Sequence, residues 1–385
     1  MTAGQGPGRR RIVHLIAEYS AHEAMGRTVA ETAGRVDGEH HLVTAHAHDG
    51  TAAFAGVHEL GGAVATFPLG RTAALAGVLA RIRPDVVHLH AGALGPVQAA
   101  MPVLRPYRRV LTAYAWPTVP GPGTWRRATL AEMRASNVLQ PRVALTTLLP
   151  TALATAALRR AGVATVLTPD PRVLRRLSGR AGFTVHRLPS GAPADERRAH
   201  FDAERPIIVF AGRAESVRGL DTLLAAFPLV RARIPGARLR LLLIPRPELA
   251  AILARAGTTE GVEIVTEPVA DLLAELAAAQ VGTWPFKFDY TTSPPAMAVA
   301  EAMSVGLPVV ATDVACVRAV LEPGVNGLAV PPARPAALAD ALVTVLGDEI
   351  TWRRYARAGV RSVCEKLGWD RAAAVTAEAY ATTVA

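Results

Sequence analysis

One pattern occurs twice along this chain: short, uninterrupted apolar runs, each followed by a segment of helical period. A run with no polar alternation has no face to show to water. It therefore becomes a strand covered on both sides, and helices between such strands make the sheet parallel. In the first half, Arg11-IVHLIAEY, His41-LVTAHA, Pro84-DVVHLHA, Arg109-VLTAYA and Ala164-TVLTP read as strands. Helical patterns run from about His22 to Val36 and from Leu75 to Ile82. The second set opens at Ile207-IVFAGR and continues through Arg238-LRLLLI, Val262-EIVTE, Val281-GTWPF and Pro308-VVATD. Its helix candidates are Asp221 to Ile234, Pro247 to Ala256, Asp271 to Ala279 and Pro295 to Val305.

The expected fold is therefore α/β, with two tandem doubly wound domains and an interdomain cleft. The expected boundaries are 1–188, a linker at 189–206, 207–365, and a closing segment at 366–385. The linker is placed where Val185-HRLPSGAPADERRAHFDAERP turns rich in Pro, Ala and charge. Ligands in such sheets sit outside the carboxyl ends of the strands.

At 385 residues the chain exceeds one ordinary core, and its apolar half suits a globular protein. The net charge is +10, but Lys287 and Lys366 are the only lysines among 42 basic residues. That arginine bias reads first as a solvated surface, and second as attraction for polyanions such as sugar nucleotides. The arginines are spread out and no aromatic-basic module accompanies them, which argues against nucleic acid. Cys316 and Cys364 are too few for a disulfide framework, so a cytoplasmic setting is expected. No signal core of normal length follows the start. Val143 to Leu158 is the most apolar stretch, shorter than a bilayer span and holding Pro150; it is expected as a buried helix. Peripheral contact with an acidic membrane surface is the minority reading.

Two stretches carry the chemistry. Phe210-AGRAESVRGLDTLLAAF ends a strand at Gly212-Arg213 and enters a helix after Arg218-Gly219. A helix start offers free N–H groups, and paired arginines fork onto phosphate oxygens. Taken alone, a turn with two surface arginines explains it equally well. The second stretch, Ala298-VAEAMSVGLPVVATDVACVRAVLEPGVNGLAVPP, places Glu301 in the first turns of a helix, where its carboxylate can accept from a ribose diol. Together these runs resemble the C-terminal domain of retaining glycosyltransferases of the GT-B fold, glycosyltransferase family four, whose two domains are Rossmann-like. Leu188-PSGAP resembles the family's turn into the linker, and Gly368-Trp369 with Tyr380 resembles its closing helix, which implies that residues 366–385 form a helix crossing back to the N-terminal domain. The resemblance implies that Gly212, Arg213 and Arg218 hold a donor diphosphate and that Glu301 holds the nucleotide ribose. It implies transfer of a sugar from a UDP- or GDP-sugar to an acceptor. It also implies no metal and no cofactor beyond that co-substrate, because cationic side chains and helix ends neutralise the leaving group.

The departures are as specific. The family has two glutamates eight positions apart, yet Ser293 stands eight before Glu301. The expected donor-sugar contacts are then Ser293, Ala296 and Met297, with Asp289 reaching in; Pro294-Pro295 also reads as a plain helix start. Where the family carries a histidine after the strand at 109–113, this chain has Tyr114, a poor general base at neutral pH. Retaining enzymes of this fold are thought to use the leaving phosphate as base, so that loss does not exclude catalysis. Tyr114 and His90 are the catalytic candidates. His22, Glu23, Arg27 and Trp116 are candidates for the acceptor side, with a Glu23–Arg27 surface pair equally balanced against that role. His88 and His90 alternate on one strand, but no third ligand is evident from spacing, so no metal site is expected. The expected acceptor is a small molecule, with specialised-metabolite biosynthesis as the setting. A lipid or cell-envelope acceptor is the alternative, and a catalytically silent nucleotide-sugar binder is the third reading. A pyridoxal-dependent phosphorylase is disfavoured because neither lysine has a suitable context.

Overall fold

The computed structural model describes residues 9–21, 23–117, 148–180, 182–192, 195–204, 206–257, 259–289, 291–292 and 294–384. They form two compact units. One unit holds the described residues up to 117, those from 148 to 191, and the terminal helix from Trp369; the other holds those from 192 to 368.

In the first unit the strands are β1 (Arg11–Ile16), β2 (Glu18–Tyr19), β3 (Glu39–Thr44), β4 (His46–Ala47), β5 (Gly56–Glu59), β6 (Val86–Ala91), β7 (Arg109–Ala113), β8 (Thr165–Thr168) and β9 (Thr184–Arg187). Seven make one parallel sheet in the order β5-β3-β1-β6-β7-β8-β9, while β2 and β4 pair by themselves. The two sheet edges, β5 and β9, are strands the apolar-run reading misses. Their sequences, GVHE and TVHR, alternate polar and apolar residues because an edge strand is only half covered.

The two faces of this sheet differ. Val13, Leu15, Val43, Val87, Leu89, Leu111 and Val166 project to one side, into an apolar cluster with Leu75, Leu79 and Leu158. Residues of opposite parity project to the other side, and there the buried positions include His14, His88, His90 and Thr112. On that side lie the Ala24–Ala33 helix and the terminal helix Trp369–Val384, which pack on each other. Tyr380 of the terminal helix is fully buried, and its hydroxyl shares a 2.7 Å hydrogen bond with His88 Nδ1.

The second unit builds β10 (Ile207–Arg213), β11 (Arg238–Ile244), β12 (Val262–Val265), β13 (Val281–Trp284), β14 (Val309–Thr312) and β15 (Leu328–Val330) into a parallel sheet ordered β12-β11-β10-β13-β14-β15. Its core includes Phe210, Phe227, Trp284 and Phe286, all buried. In each unit the strand order reverses once, between β1 and β6 and between β10 and β13. Such a reversal sends neighbouring loops apart and opens a crevice at the strands' carboxyl ends.

The apolar stretch is not the single buried helix expected. A helix runs only over Thr151–Arg160, starting directly after Pro150, and buries Ala154, Thr155 and Leu158. Leu148 and Leu153 stand 65% and 59% exposed, and residues 143–147 lie outside the described part.

Tyr380→Phe tests the anchoring of the terminal helix. It leaves His88 Nδ1 buried without its partner and should lower unfolding free energy by about 1–3 kcal/mol, read from the urea midpoint.

Candidate functional site

In the second unit the loops after β10 and β13 meet at the strand-order reversal. Thr291 Oγ1 donates to the Val217 carbonyl at 3.1 Å, and the Lys287 amide donates to the same carbonyl at 3.1 Å. The two loops are thus zipped together through one acceptor. Gly219 enables this closeness. Its φ is +76°, and a Cβ there would stand 1.8 Å from the Pro285 carbonyl oxygen. From Gly219 the Leu220–Arg231 helix departs, so its first amides open beside the zipped loops.

Around this point the cations gather. Arg213 ends β10, and Arg218 closes the short turn before Gly219. Between them Glu215, itself 6% exposed, lies 4.0 Å from Arg213 and 3.4 Å from Arg218. Burial pulls the Arg218 guanidinium pKa down, with Glu215 opposing that pull, and the guanidinium also sits 5.3 Å from the centre of the Phe286 ring. Lys287 forms a 2.8 Å ion pair with Asp221 in the first turn of the helix. Glu215, Lys287 and Asp221 were not singled out from sequence. For Glu215 a signal existed: an acid between two arginines a few residues apart can form charge-assisted pairs with both.

Glu301 is the fifth residue of the Met297–Ser304 helix and is 3% exposed. That burial removes the solvated-surface reading of this carboxylate, because a buried charge is retained only with partners. Ala296 is buried just before this helix, and its amide donates to the Cys316 carbonyl at 3.0 Å. That amide is therefore engaged inside the protein, which corrects the expectation that the Ala296 backbone faces a sugar. Met297 begins the helix, half-buried. Asp289 is exposed, and its Oδ1 accepts from the Ala315 amide at 2.7 Å and lies 3.4 Å from Arg318. It fixes the turn after β14 instead of reaching in freely. Ser293 lies outside the described residues.

In the first unit His90 and Tyr114 are both buried, at 5% and 7% exposure. Burial lowers His90 to about 3 and raises Tyr114 above its ordinary range, with Tyr114 held beside Thr28. Each is neutral at pH 7 and neither is poised as a general base. Trp116 is fully buried in the apolar cluster, so it is a core residue rather than an acceptor contact. Glu23 precedes the Ala24–Ala33 helix, and Arg27 donates through Nε to the Ala21 carbonyl at 3.2 Å. The loop they border is tied to Asp49, whose carboxylate accepts from the Ser20 hydroxyl at 2.7 Å and the Ala21 amide at 2.6 Å. His22 lies outside the described residues.

The largest departure from expectation is a histidine cluster. His14 of β1 stands in register with His88 of β6, and Ile16 with His90, so all three rings share one face and one burial environment. One nitrogen from each comes within 4.8 Å of the others. The third histidine that spacing on β6 does not supply comes from the adjacent strand. Its signal is the pairing of HLI on β1 with HLH on β6, visible only once the two strands are known to be neighbours.

The fold is that of the GT-B glycosyltransferases. Sucrose-phosphate synthase from Thermosynechococcus elongatus aligns over 97% of this chain and 99% of its own, at TM-score 0.69 and 18% identity. A structure described as Anabaena Alr3699/HepE in complex with UDP and glucose aligns over 97% and 100%, at TM-score 0.71 and 15% identity. Residues 205–348 match the model for glycosyl transferases group 1. A D-inositol 3-phosphate glycosyltransferase from Xylanimonas cellulosilytica is 31% identical over 210 residues, which is 50% of this chain and 47% of that protein. A phosphatidyl-myo-inositol mannosyltransferase from Mycobacterium leprae is 42% identical over 82 residues, 21% and 22% of the two chains. The chain thus spans about half the length, or less, of these curated relatives. No helix among the described residues is long and apolar enough to cross a membrane.

Two outcomes follow from this geometry. Gly219→Ala forces a left-handed residue and a clash with Pro285, and should cost about 1–3 kcal/mol of stability by urea unfolding. The buried histidines also set an acid limit. His14 and His88 are held well below 6.5 by burial and by neighbouring imidazoles, and His90 is lowered to about 3 by burial. Below pH 6.5 the unfolded chain takes up protons that these rings refuse, so stability falls as pH drops toward the folded values. Each ring contributes up to about 1.4 kcal/mol per pH unit in that window. Unfolding free energy measured from pH 7 to pH 5 should therefore decline less steeply in His90→Gln.

Proposed function

We propose that this chain is a retaining glycosyltransferase moving a sugar from a UDP- or GDP-sugar to a small-molecule acceptor. The observation that carries the reading is the buried carboxylate-held arginine pair at the strand-order reversal of the second unit. A diphosphate needs several fixed cations and free amides in one place. Arg213, Arg218 and the first turn of the Leu220–Arg231 helix supply them. Glu215 keeps both guanidiniums oriented before the donor arrives, so less side-chain freedom is lost on binding. Lys287, paired with Asp221, adds a third cation beside the same loop.

In this reading Glu301 accepts from the ribose hydroxyls. The arginines stabilise charge as it grows on the leaving diphosphate, and that phosphate takes the acceptor's proton on the same face of the sugar. The deep burial of His90 and Tyr114 supports a base supplied by substrate rather than by either side chain. Met297 at the start of the Met297–Ser304 helix, with Ser293 preceding it, stays the candidate for contact with the transferred sugar. An inositol phosphate is the first acceptor to try, given the relatives so named. A lipid-linked inositol is the second, favoured by the separate match to a phosphatidylinositol mannosyltransferase. The arginine-rich net charge of +10 suits either phosphorylated acceptor.

Incubating the protein with UDP- and GDP-sugars should release nucleoside diphosphate only when an acceptor of this class is present. Donor binding without any acceptor-dependent release would instead mark a silent binding protein. Glu301→Ala should weaken nucleotide binding by about 1.5–3 kcal/mol in calorimetry, the range for a charged hydrogen bond. Unchanged affinity would remove the ribose role.

A further inference from the structure

We propose that His14, His88 and His90 form a binding site for one transition-metal ion of the zinc class, inside the first unit and independent of the donor reading. The argument begins with hydrogen positions. The Val36 carbonyl can only accept, so His40 Nε2, 2.8 Å away, carries a hydrogen, and neutral His40 offers its lone pair at Nδ1. His14 Nε2, 2.9 Å from that lone pair, must then donate, which leaves the lone pair of His14 on Nδ1. That lone pair faces His90 Nε2 at 3.1 Å. One hydrogen therefore stands between two ring nitrogens, in a cluster with no carboxylate ligand.

A metal ion can take the place of that hydrogen. Two imidazole nitrogens about 2.0–2.1 Å from a tetrahedral zinc stand about 3.4 Å apart, close to the separation seen here. For His90 to turn a lone pair to the ion, its hydrogen moves from Nε2 to Nδ1, and no net proton leaves. His90 Nδ1 is buried and has no hydrogen-bond partner among the described residues, so the change of tautomer breaks no bond there. His88 supplies the third nitrogen. Its two ring nitrogens each meet a hydroxyl at 2.7 Å, from Tyr380 and from Thr112. Ligation through His88 Nε2 replaces the Thr112 contact, so that hydroxyl moves aside, while Nδ1–H stays on the Tyr380 hydroxyl. His14 would keep its Nε2–H on His40, the outer hydrogen bond that metal-ligating histidines commonly make.

Three neutral nitrogens select zinc-like, borderline ions over magnesium or calcium, which seek oxygen. The rings stand ready in the uncharged form that binds metal. The ion would tie β1 to β6 at the strand-order reversal and, through His88 and Tyr380, would tie both to the terminal helix.

The test uses the full chain without a histidine tag, stripped by chelator and dialysed against Zn2+ or Mg2+. Elemental analysis should find one zinc and no magnesium per chain, and zinc should raise the melting temperature. His14→Gln and His90→Gln should each lose that zinc, while His58→Gln, at a separate histidine pair on β5, should keep it. If the two cluster variants fail to fold, zinc-edge X-ray absorption of the wild type decides, with a first shell of three imidazoles expected. Absence of stoichiometric zinc in the wild type overturns the site. So does full retention in a folded His14→Gln or His90→Gln chain, or a shell of oxygen or sulfur ligands.

Discussion

The Glu215 carboxylate is the interaction on which the second unit's proposed chemistry depends. Two arginines and a lysine placed near one turn would repel each other and scatter into water. Glu215 lies within 4.0 Å of Arg213 and 3.4 Å of Arg218, and Asp221 holds Lys287 at 2.8 Å. The acids let the cations converge while leaving positive charge in excess. The same turn requires Gly219, since any side chain there meets Pro285, and it requires the Val217 carbonyl that both loops share. The proposed diphosphate site is thus built from backbone closeness first and from charge second.

The first unit solves a different problem on the same kind of sheet. Its buried polar face carries four histidines with almost no acid to neutralise them. Burial keeps His14, His88 and His90 uncharged, with neighbouring imidazoles adding to it at His14 and His88, and the hydrogen bonds from Val36 onward fix the tautomers of His40, His14 and His90. The Ala24–Ala33 helix and the terminal helix, with Tyr380 against His88, close this face. Neutral rings packed between strands and helices make poor acids and bases but good metal ligands.

Much of the fold was legible because largely apolar strands leave little choice of architecture, and β1, β3, β6, β7, β8 and β10 to β14 all overlap the runs read as strands. The edge strands β5 and β9 and the short β15 escaped because their half-covered sequences resemble loops. In the proposed donor site, Arg213, Arg218 and Glu301 could be named from local motifs, and the acid that holds both arginines, Glu215, is near them in sequence. The histidine cluster was not, because His14 and His88 are brought together only by the pairing of two strands more than seventy residues apart. Trp116 was misread for a related reason. Proline and glycine around it suggested an open loop, whereas its indole completes the core.

Amide hydrogen exchange, with and without UDP or GDP and their sugars, tests the central claim most directly, because it maps the ligand without altering a residue. The account predicts slower exchange over residues 213–221 and 296–302 in the presence of one nucleotide. Protection confined to other segments, or none with any nucleotide sugar, would contradict it.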